Sequence, residues 1–592
     1  MTVLLDVMAV RATGDPAAAL VDCGEPGRDV QELSCDVLVV GGGTGGIAAA
    51  LAAARTPRSL SVCLLEETDW IGGQLTAQGV SALDEHPHIE SFGGTRSYYA
   101  LREGIRNHYR RLSPALAAQT HPNPGNCWVS RLAFEPRVAL QALHAMARPF
   151  VEWGRLRIMT RTKVASVRAA ADRIDSVLAV NLDDRRWTRV RPRMVIDATE
   201  LGDLLPLAGA EYRAGAESVA ETGEPHAQPR EPDVRAVQSF TYTFVVENTG
   251  AGHSHVIPKP AGYEDYRARQ PYSLKIHVKG GEIYGEETGW LEYQVHERAP
   301  GTKGGLWTYR RLIDHRYFPG LHPNDISMIN WPGNDYRDES ILDRSPAEQA
   351  QSLQEAKRVS LGFLHWLQTE APRPGNPPGF PEFKPRPDVF ATEDALAKYP
   401  YIREGRRMRA LTTIVEQDVS SAYQRAARAR RFEDAVGVGW YPIDIHTSGA
   451  DEVSVSTRTR PFQIPLGALI PVRMRNLLAG AKNLGTTHIT NGCYRLHPVE
   501  WNTGEAAGAL AVFVLETGRD AADVHADPRQ RREFQRRLVG EGVPLYWFVD
   551  VGVEHPAFQA LQMAAVTGEI EGSPDSLEAA ALPAGDRGAF GL

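Results

Sequence analysis

The stretch Cys35-Asp36-Val37-Leu38-Val39-Val40-Gly41-Gly42-Gly43-Thr44-Gly45-Gly46, continued by Ile47 to Ala54 and by Val62-Cys63-Leu64-Leu65-Glu66, decides the fold. Val37 to Val40 is a β-branched apolar run of strand length, and Ile47 to Ala54 is an Ala-rich run that reads as a helix. Val62 to Leu65 is a second buried-strand run that ends on an acid. Strand, glycine turn, helix, strand and acid together form the βαβ unit that holds a dinucleotide. Gly41 permits the tight turn, Gly43 lets backbone approach a diphosphate, and Gly46 lets helix and strand pack closely. Thr44 and Gly45 open the helix, whose free N–H groups and dipole favour an anion. Glu66 stands where an acid accepts hydrogen bonds from a ribose diol, with Glu67 beside it.

Immediately downstream, Gly72-Gly73-Gln74-Leu75 forms a second glycine loop past the ribose acid. Such a loop lets backbone run beside a long cofactor. A simple NAD-binding unit has no use for it. Short strands are expected over 156–159, 164–167, 174–180 and 194–196, the last leading into Asp197-Ala198-Thr199-Glu200. Helices are expected over 97–112, 137–147, 347–367, 415–431 and 529–538, and a half-buried strand over 237–246. Far along the chain, Asn476 to Asn483 reads as a short buried strand and turn. The run Asn502-Thr503-Gly504-Glu505-Ala506-Ala507-Gly508 reads as a small-residue helix with an N-cap at Asn502 or Thr503.

Length and composition agree with several domains. The chain has 592 residues, 42% hydrophobic and 23% charged, with a net charge of −8. That lack of basic excess argues against nucleic acid as a partner. No apolar run approaches the ~20 residues that span a bilayer, and Met1 to Arg11 lacks the features of a signal peptide. Five cysteines without paired spacing fit a reduced, cytoplasmic setting. The expected division is an N-terminal arm (1–33), a nucleotide-binding domain in two parts (34–232 and 436–524), an inserted α+β substrate domain (233–435) and a C-terminal helical extension (525–592).

Three separated motifs agree: the glycine turn with Glu66, the strand ending in Asp197-Ala198-Thr199, and the segment Asn476 to Gly508. Together they resemble the glutathione-reductase-like FAD-binding fold, and with Gly72-Gly73-Gln74 they look most like the broad FAD-dependent oxidoreductase family that includes relatives of fumarate reductase flavoproteins. The resemblance implies an α/β, Rossmann-like domain with a parallel sheet and FAD as the cofactor. It places Gly41, Gly43 and Gly46 on the diphosphate and Glu66 on the adenosine ribose. Gly72, Gly73 and Gln74 fall on the flavin side, and Val164 at adenine. Ala198 and Thr199 come near the diphosphate and Asn483 near the flavin, and helix 503–512 points at the ring. Glu200 departs from the glycine usual after Ala-Thr.

A flavin enzyme also has to hold its substrate and move a proton. His86 is the expected base, with Asp84 or Glu85 to orient it; a solvated loop is the plainer reading. Arg495 and His497 lie between the flavin-side turn and the late helix, so they too are catalytic candidates. His88, Arg96, Tyr98, Trp331 and His488 are candidate substrate contacts. Each has an ordinary structural alternative: a surface charge for Arg96, core packing for Trp331. The stretch Trp440 to His446 is a further candidate lining. Cys127 and Cys493 raise a thioether to flavin, against simple packing. No metal motif is present, and no metal is expected. The expected activity is removal of hydride from a C–H next to nitrogen or oxygen, or desaturation of a C–C bond, in a small molecule, with oxygen as one acceptor. Non-redox chemistry on bound FAD and a non-catalytic binding protein are the alternatives.

Overall fold

The computed structural model describes residues 2–27, 29–56, 60–279, 288–296, 304–448 and 454–570. The last part of the expected C-terminal extension, 571–592, lies outside them.

Strand β1 (Gln31–Val40), helix α1 (Thr44–Ala54) and strand β2 (Val62–Leu65) form the unit that the glycine turn predicts. β1 is longer than the apolar run: its polar first half extends past the core, where Glu32 pairs with Arg189 and Arg191. Helices α2 (Arg96–Leu112) and α3 (Pro136–Glu152) follow, then β3 (Leu156–Met159), β4 (Thr162–Ala170), β5 (Arg173–Asn181) and β6 (Trp187–Asp197). The sheet has seven strands, in the order β3-β2-β1-β6-β5-β4, with β7 (Leu477–Ala479) beside β6. Strands β3, β2, β1, β6 and β7 run parallel, and β5 and β4 turn back antiparallel. The first half of β6 meets β5, and its last three residues meet β7. Parallel strands buried on both faces read as continuous apolar runs, which is why β1 and β2 were legible.

Between β6 and β7 the chain builds a second body. A four-stranded sheet joins residues 311–313, 326–329, 244–248 and 383–385, against the 24-residue helix α4 (Pro346–Thr369). Two expectations fail here. The strand over 237–246 is confined to Phe244–Asn248, because Phe240 and Thr241 make only single bridges to loops. The helix over 415–431 is one turn, Glu416–Val419, after which Ser420 turns out to bridge Thr459.

After β7 come α5 (His488–Tyr494), α6 (His497–Thr517) and α7 (Pro528–Gly540). α6 begins at His497, with Pro498 in its first turn, and Leu496 caps it without a side-chain hydrogen bond. Asn502 and Thr503 therefore lie inside the helix and cap nothing. Proline at a helix start needs no N–H partner there, and that is the signal the small-residue reading missed. α6 packs on α1: a Cβ on Gly504 or Gly508 would overlap the carbonyls of Gly45 and Ala49. The N-terminal arm folds as a hairpin, Val3–Leu5 with Leu20–Asp22, whose connecting loop hydrogen-bonds to Gln354 and Arg358 of α4. Among the described residues, no helix is long and apolar enough to cross a membrane.

Candidate functional site

The glycine turn is shaped by close approach. Gly41 has φ +94°, and any Cβ on it would overlap the Ala198 carbonyl; one on Gly46 would overlap the Gly41 carbonyl. Gly43 is the N-cap of α1 and supplies no side-chain bond. The second loop docks on this turn. Gly72 (φ +111°) donates its N–H to Gly42 O at 2.7 Å, and Thr44 Oγ1 donates to Gly72 O at 3.0 Å. Gly73 (φ +54°) continues the loop into a short turn that buries Gln74 and Leu75. Only glycine adopts such a pair of left-handed conformations without strain.

Glu66 accepts N–H bonds from Gly42 (2.7 Å) and Thr68 (2.8 Å) and the Thr68 hydroxyl (2.7 Å). Burial still pushes its carboxyl up to about 7. Asp197 behaves alike at the end of β6: one oxygen holds Thr199, the other has no partner, and burial pushes it up to about 7. A cavity of about 270 Å³ runs along this edge. Gly41, Gly43, Gly73, Glu66, Glu67, Val164, Ala198 and Thr199 all line it. Glu67 also pairs with Lys163 Nζ at 2.6 Å, which reaches the Leu5 carbonyl of the arm at 3.2 Å. Leu4, Leu5 and Val7 thus close the outer side of the cavity. Along the second loop, Gln74 Oε1, Gln78 Oε1 and Ser81 Oγ are buried without partners, and Gln78 lines the cavity. Buried polar atoms of this kind call for a ligand or water.

A chain of charged side chains, fully buried at Arg495, Asp335 and Arg403, starts next to Gln74. Gln74 Nε2 donates to the Arg495 carbonyl at 3.1 Å. The Arg495 guanidinium donates to Tyr401 Oη at 2.6 Å and to Asp444 Oδ2 at 3.2 Å, and its Nε has no partner. Asp444 lies 3.4 Å from His446 Nε2, whose Nδ1 lies 2.6 Å from Asp335 Oδ2. Asp335 pairs with Arg403 at 3.0 Å, and Arg403 stands 4.9 Å over the Tyr401 ring. Burial would raise both acids, but Arg403 and His446 hold Asp335 below the usual carboxylate range, and His446 and Arg495 do the same for Asp444.

The sequence candidates fall into three groups. Arg495 is in this network. Asn483 is close by, binding the Asp197 carbonyl at 3.0 Å and so fixing the turn after β7. His86 is fully buried, with neither ring nitrogen partnered, and its edge meets Trp547 at 4.8 Å. Burial pushes it well below its ordinary value. It lines a second, polar cavity of about 360 Å³ with Glu90, His121 and Asn123. No carboxylate orients it: Glu85 holds Tyr98 and Arg102, and Asp84 holds Arg310. His88 stacks on Trp440 at 5.7 Å at the rim of this region.

The rest are structural in place. His497 accepts from Asp84 N–H at 3.1 Å through Nδ1 and reaches Val80 O at 3.0 Å through Nε2, leaving no nitrogen for substrate. Arg96 points away, onto Glu554 and the Val553 carbonyl, because it sits at the outward start of α2. The Tyr98 hydroxyl is consumed by Glu85 at 2.7 Å. Trp331 is 1% exposed and packs edge-on against Tyr293 and Tyr309, so it is core rather than roof. His488 meets Glu404 at 2.8 Å; burial opposes its charge, but Glu404 more than offsets that and holds the imidazole above its ordinary value. Asn502 bonds Val436 and Val438, and Thr503 bonds Val499 within the helix, so neither reaches the cavity edge. Cys127 and Cys493 are buried free thiols that hydrogen-bond to Ser130 and Thr490 carbonyls. Among the described residues, only Asp314, His315 and Asp325 bring ligand atoms within 4.8 Å of one another, and Arg311 and Arg316 already neutralise those acids.

A family model described as FAD dependent oxidoreductase matches residues 36–538. The chain belongs to that family. As an FAD-dependent oxidoreductase it takes FAD as cofactor, and the glycine turn, the cavity beside it and the unpartnered amide oxygens along the second loop suit that molecule. No curated protein matches. Solved structures that resemble this oxidoreductase do so distantly. p-Nitrophenol 4-monooxygenase from Pseudomonas putida is 11% identical, with 95% of this chain and 94% of that one covered and a TM-score of 0.35. A geranylgeranyl bacteriochlorophyll reductase-like protein from Thermoplasma acidophilum is 11% identical over 91% and 99%, with a TM-score of 0.31. Quinol fumarate reductase FrdA from E. coli is 11% identical over 91% and 87%, with a TM-score of 0.29. L-proline dehydrogenase from P. horikoshii is matched over only 24% of its own length, at 16% identity and a TM-score of 0.17.

Proposed function

We propose that this FAD-dependent oxidoreductase removes hydride from a carbon bearing nitrogen or oxygen in a small polar molecule. One observation carries the reading: the partly buried network that joins Gln74 on the second glycine loop to His446 through Arg495 and Asp444. FAD, when bound, supplies the hydride-accepting ring. The chain's own residues have two remaining tasks. Arg495, with an unused Nε–H, binds a polar or anionic group of the substrate. As hydride leaves, an N–H or O–H proton must go too, and the Asp444–His446 pair offers it a route toward solvent, since both side chains are partly exposed. This route is favoured over His86, which has no hydrogen-bonded neighbour to pass a proton to.

Anaerobic mixing of the flavin-loaded protein with a panel of amines, alcohols and 2-hydroxy acids tests the proposal. At least one class should bleach the flavin. Arg495→Ala should then raise the half-saturating concentration about tenfold, the size of one lost charged hydrogen bond. His446→Ala should slow reduction by about a hundredfold. If none of these classes bleaches a flavin that a chemical reductant does bleach, the proposal fails.

A further inference from the structure

Gly43 and Gly73 clear a space at the amino end of α1, and protein fills it. Glu200 Oε1 stands 2.6 Å from where a Cβ on Gly43 would be, and 2.8 Å from one on Gly73. Its other oxygen pairs with Lys482 Nζ, and Lys482 lies 3.6 Å from Glu500. Glu500 Oε1 accepts the Gly45 N–H at 3.3 Å, and its second oxygen accepts from Gln74 Nε2. Two carboxylates, clamped by one buried ammonium, therefore cover a helix start that has no cap of its own. The fully buried Gln74, part of the same cluster, keeps one oxygen without a partner.

This is the place that the second glycine of a dinucleotide turn opens for the diphosphate. The diphosphate of FAD and the Glu200 carboxylate are both anions, and they cannot occupy the same space beside Gly43 and Gly73. We propose that Glu200 is an internal stand-in for the cofactor's diphosphate: FAD displaces it, and the Lys482 that it releases becomes the diphosphate's counter-ion. The inference rests on FAD being the cofactor, as the family match gives. Glu200 is the acid that moves. Its side chain is 12% exposed and borders the cavity, whereas Glu500 is 1% exposed and tied by both Gly45 and Gln74. Lys482 is 1% exposed, and with Glu200 gone it keeps only Glu500, at 3.6 Å, so the diphosphate takes the place of the second anion.

Calorimetric titration of the full-length chain, stripped of flavin, decides this, with FAD, ADP and adenosine as the probes. Glu200→Gln keeps the shape and removes the charge. It should lower the Kd for FAD and for ADP by about tenfold and leave adenosine, which has no diphosphate, unchanged. Lys482→Met should weaken FAD and ADP by about tenfold, again without effect on adenosine. If Glu200→Gln binds FAD as the parent does, or more weakly, Glu200 is not a competitor and the displacement is wrong. If all three probes change together, the variants have altered the cavity as a whole and the proposal is again overturned. Should Lys482→Met fail to fold, the Glu200→Gln titration by itself separates displacement from no displacement. Failure of the parent chain to take up FAD would instead overturn the cofactor reading itself.

Discussion

His497 shows how a residue placed by sequence at the reaction centre can serve the fold instead. Its two nitrogens hold Asp84 N–H and Val80 O, and burial pushes it down to about 4. An unfolded histidine titrates near 6.5. A depressed pKa means that the neutral, folded form keeps its full advantage above pH ~6.5 and loses it as pH falls toward about 4. The parent protein should lose on the order of 3 kcal/mol over that window from this group. Denaturant unfolding at several pH values should show a shallower slope for His497→Gln, and an unaltered slope would disprove the assignment. Glu66 is the second residue with a double duty. Glu66→Ala leaves two buried N–H groups, of Gly42 and Thr68, without an acceptor. We expect a loss of roughly 2–4 kcal/mol and a purified protein with little flavin, both readable from melting temperature and visible absorbance. The network around Arg495 was only partly legible. Trp440 to His446 stood out as polar and aromatic, but Tyr401, Arg403 and Asp335 sit in loops whose spacing has no period. Only tertiary folding brings them together.

At the level of elements, the βαβ unit was readable because each of its parts answers to a local rule: two apolar runs, a glycine turn and an alanine helix. The N-terminus of α6 was not, because the eye goes to Gly504 and Ala506 while the start is set by Pro498. What those glycines do is pack helix on helix. Gly508→Val would drive two methyl groups into the Ala49 backbone of α1. Overpacking against backbone costs about 1–3 kcal/mol or more. Because α1 starts at the cofactor turn, flavin content should fall with melting temperature. A variant with a lower melting temperature but full flavin retention would show that the two helices are not coupled to the turn.

For the whole molecule, the surprise is the arm. Residues 1–33 carry no motif that points to a function, yet Leu4, Leu5 and Val7 wall the cavity and Asp6 grips Arg161 at 2.6 Å. Removing residues 2–24 should leave the seven-stranded sheet folded and speed FAD release at least about tenfold, measured by flavin fluorescence after dilution. Equal release rates would mean that the arm only decorates the surface. At the other end, Trp547 packs on both His86 and Phe92, so the C-terminal segment also reaches the interior near the second cavity.

The Gly45–Glu500 bond links positions 455 residues apart. A ribosome adding about 5–20 residues each second needs roughly twenty seconds to a minute and a half to make that interval. During that time the glycine turn is outside the tunnel while β7, Lys482 and α6 do not yet exist. A nascent chain therefore has half a grip, and the yellow prosthetic group can be retained only once α6 has been made. Truncated products, however long, should emerge colourless until the codons for α6 have been read.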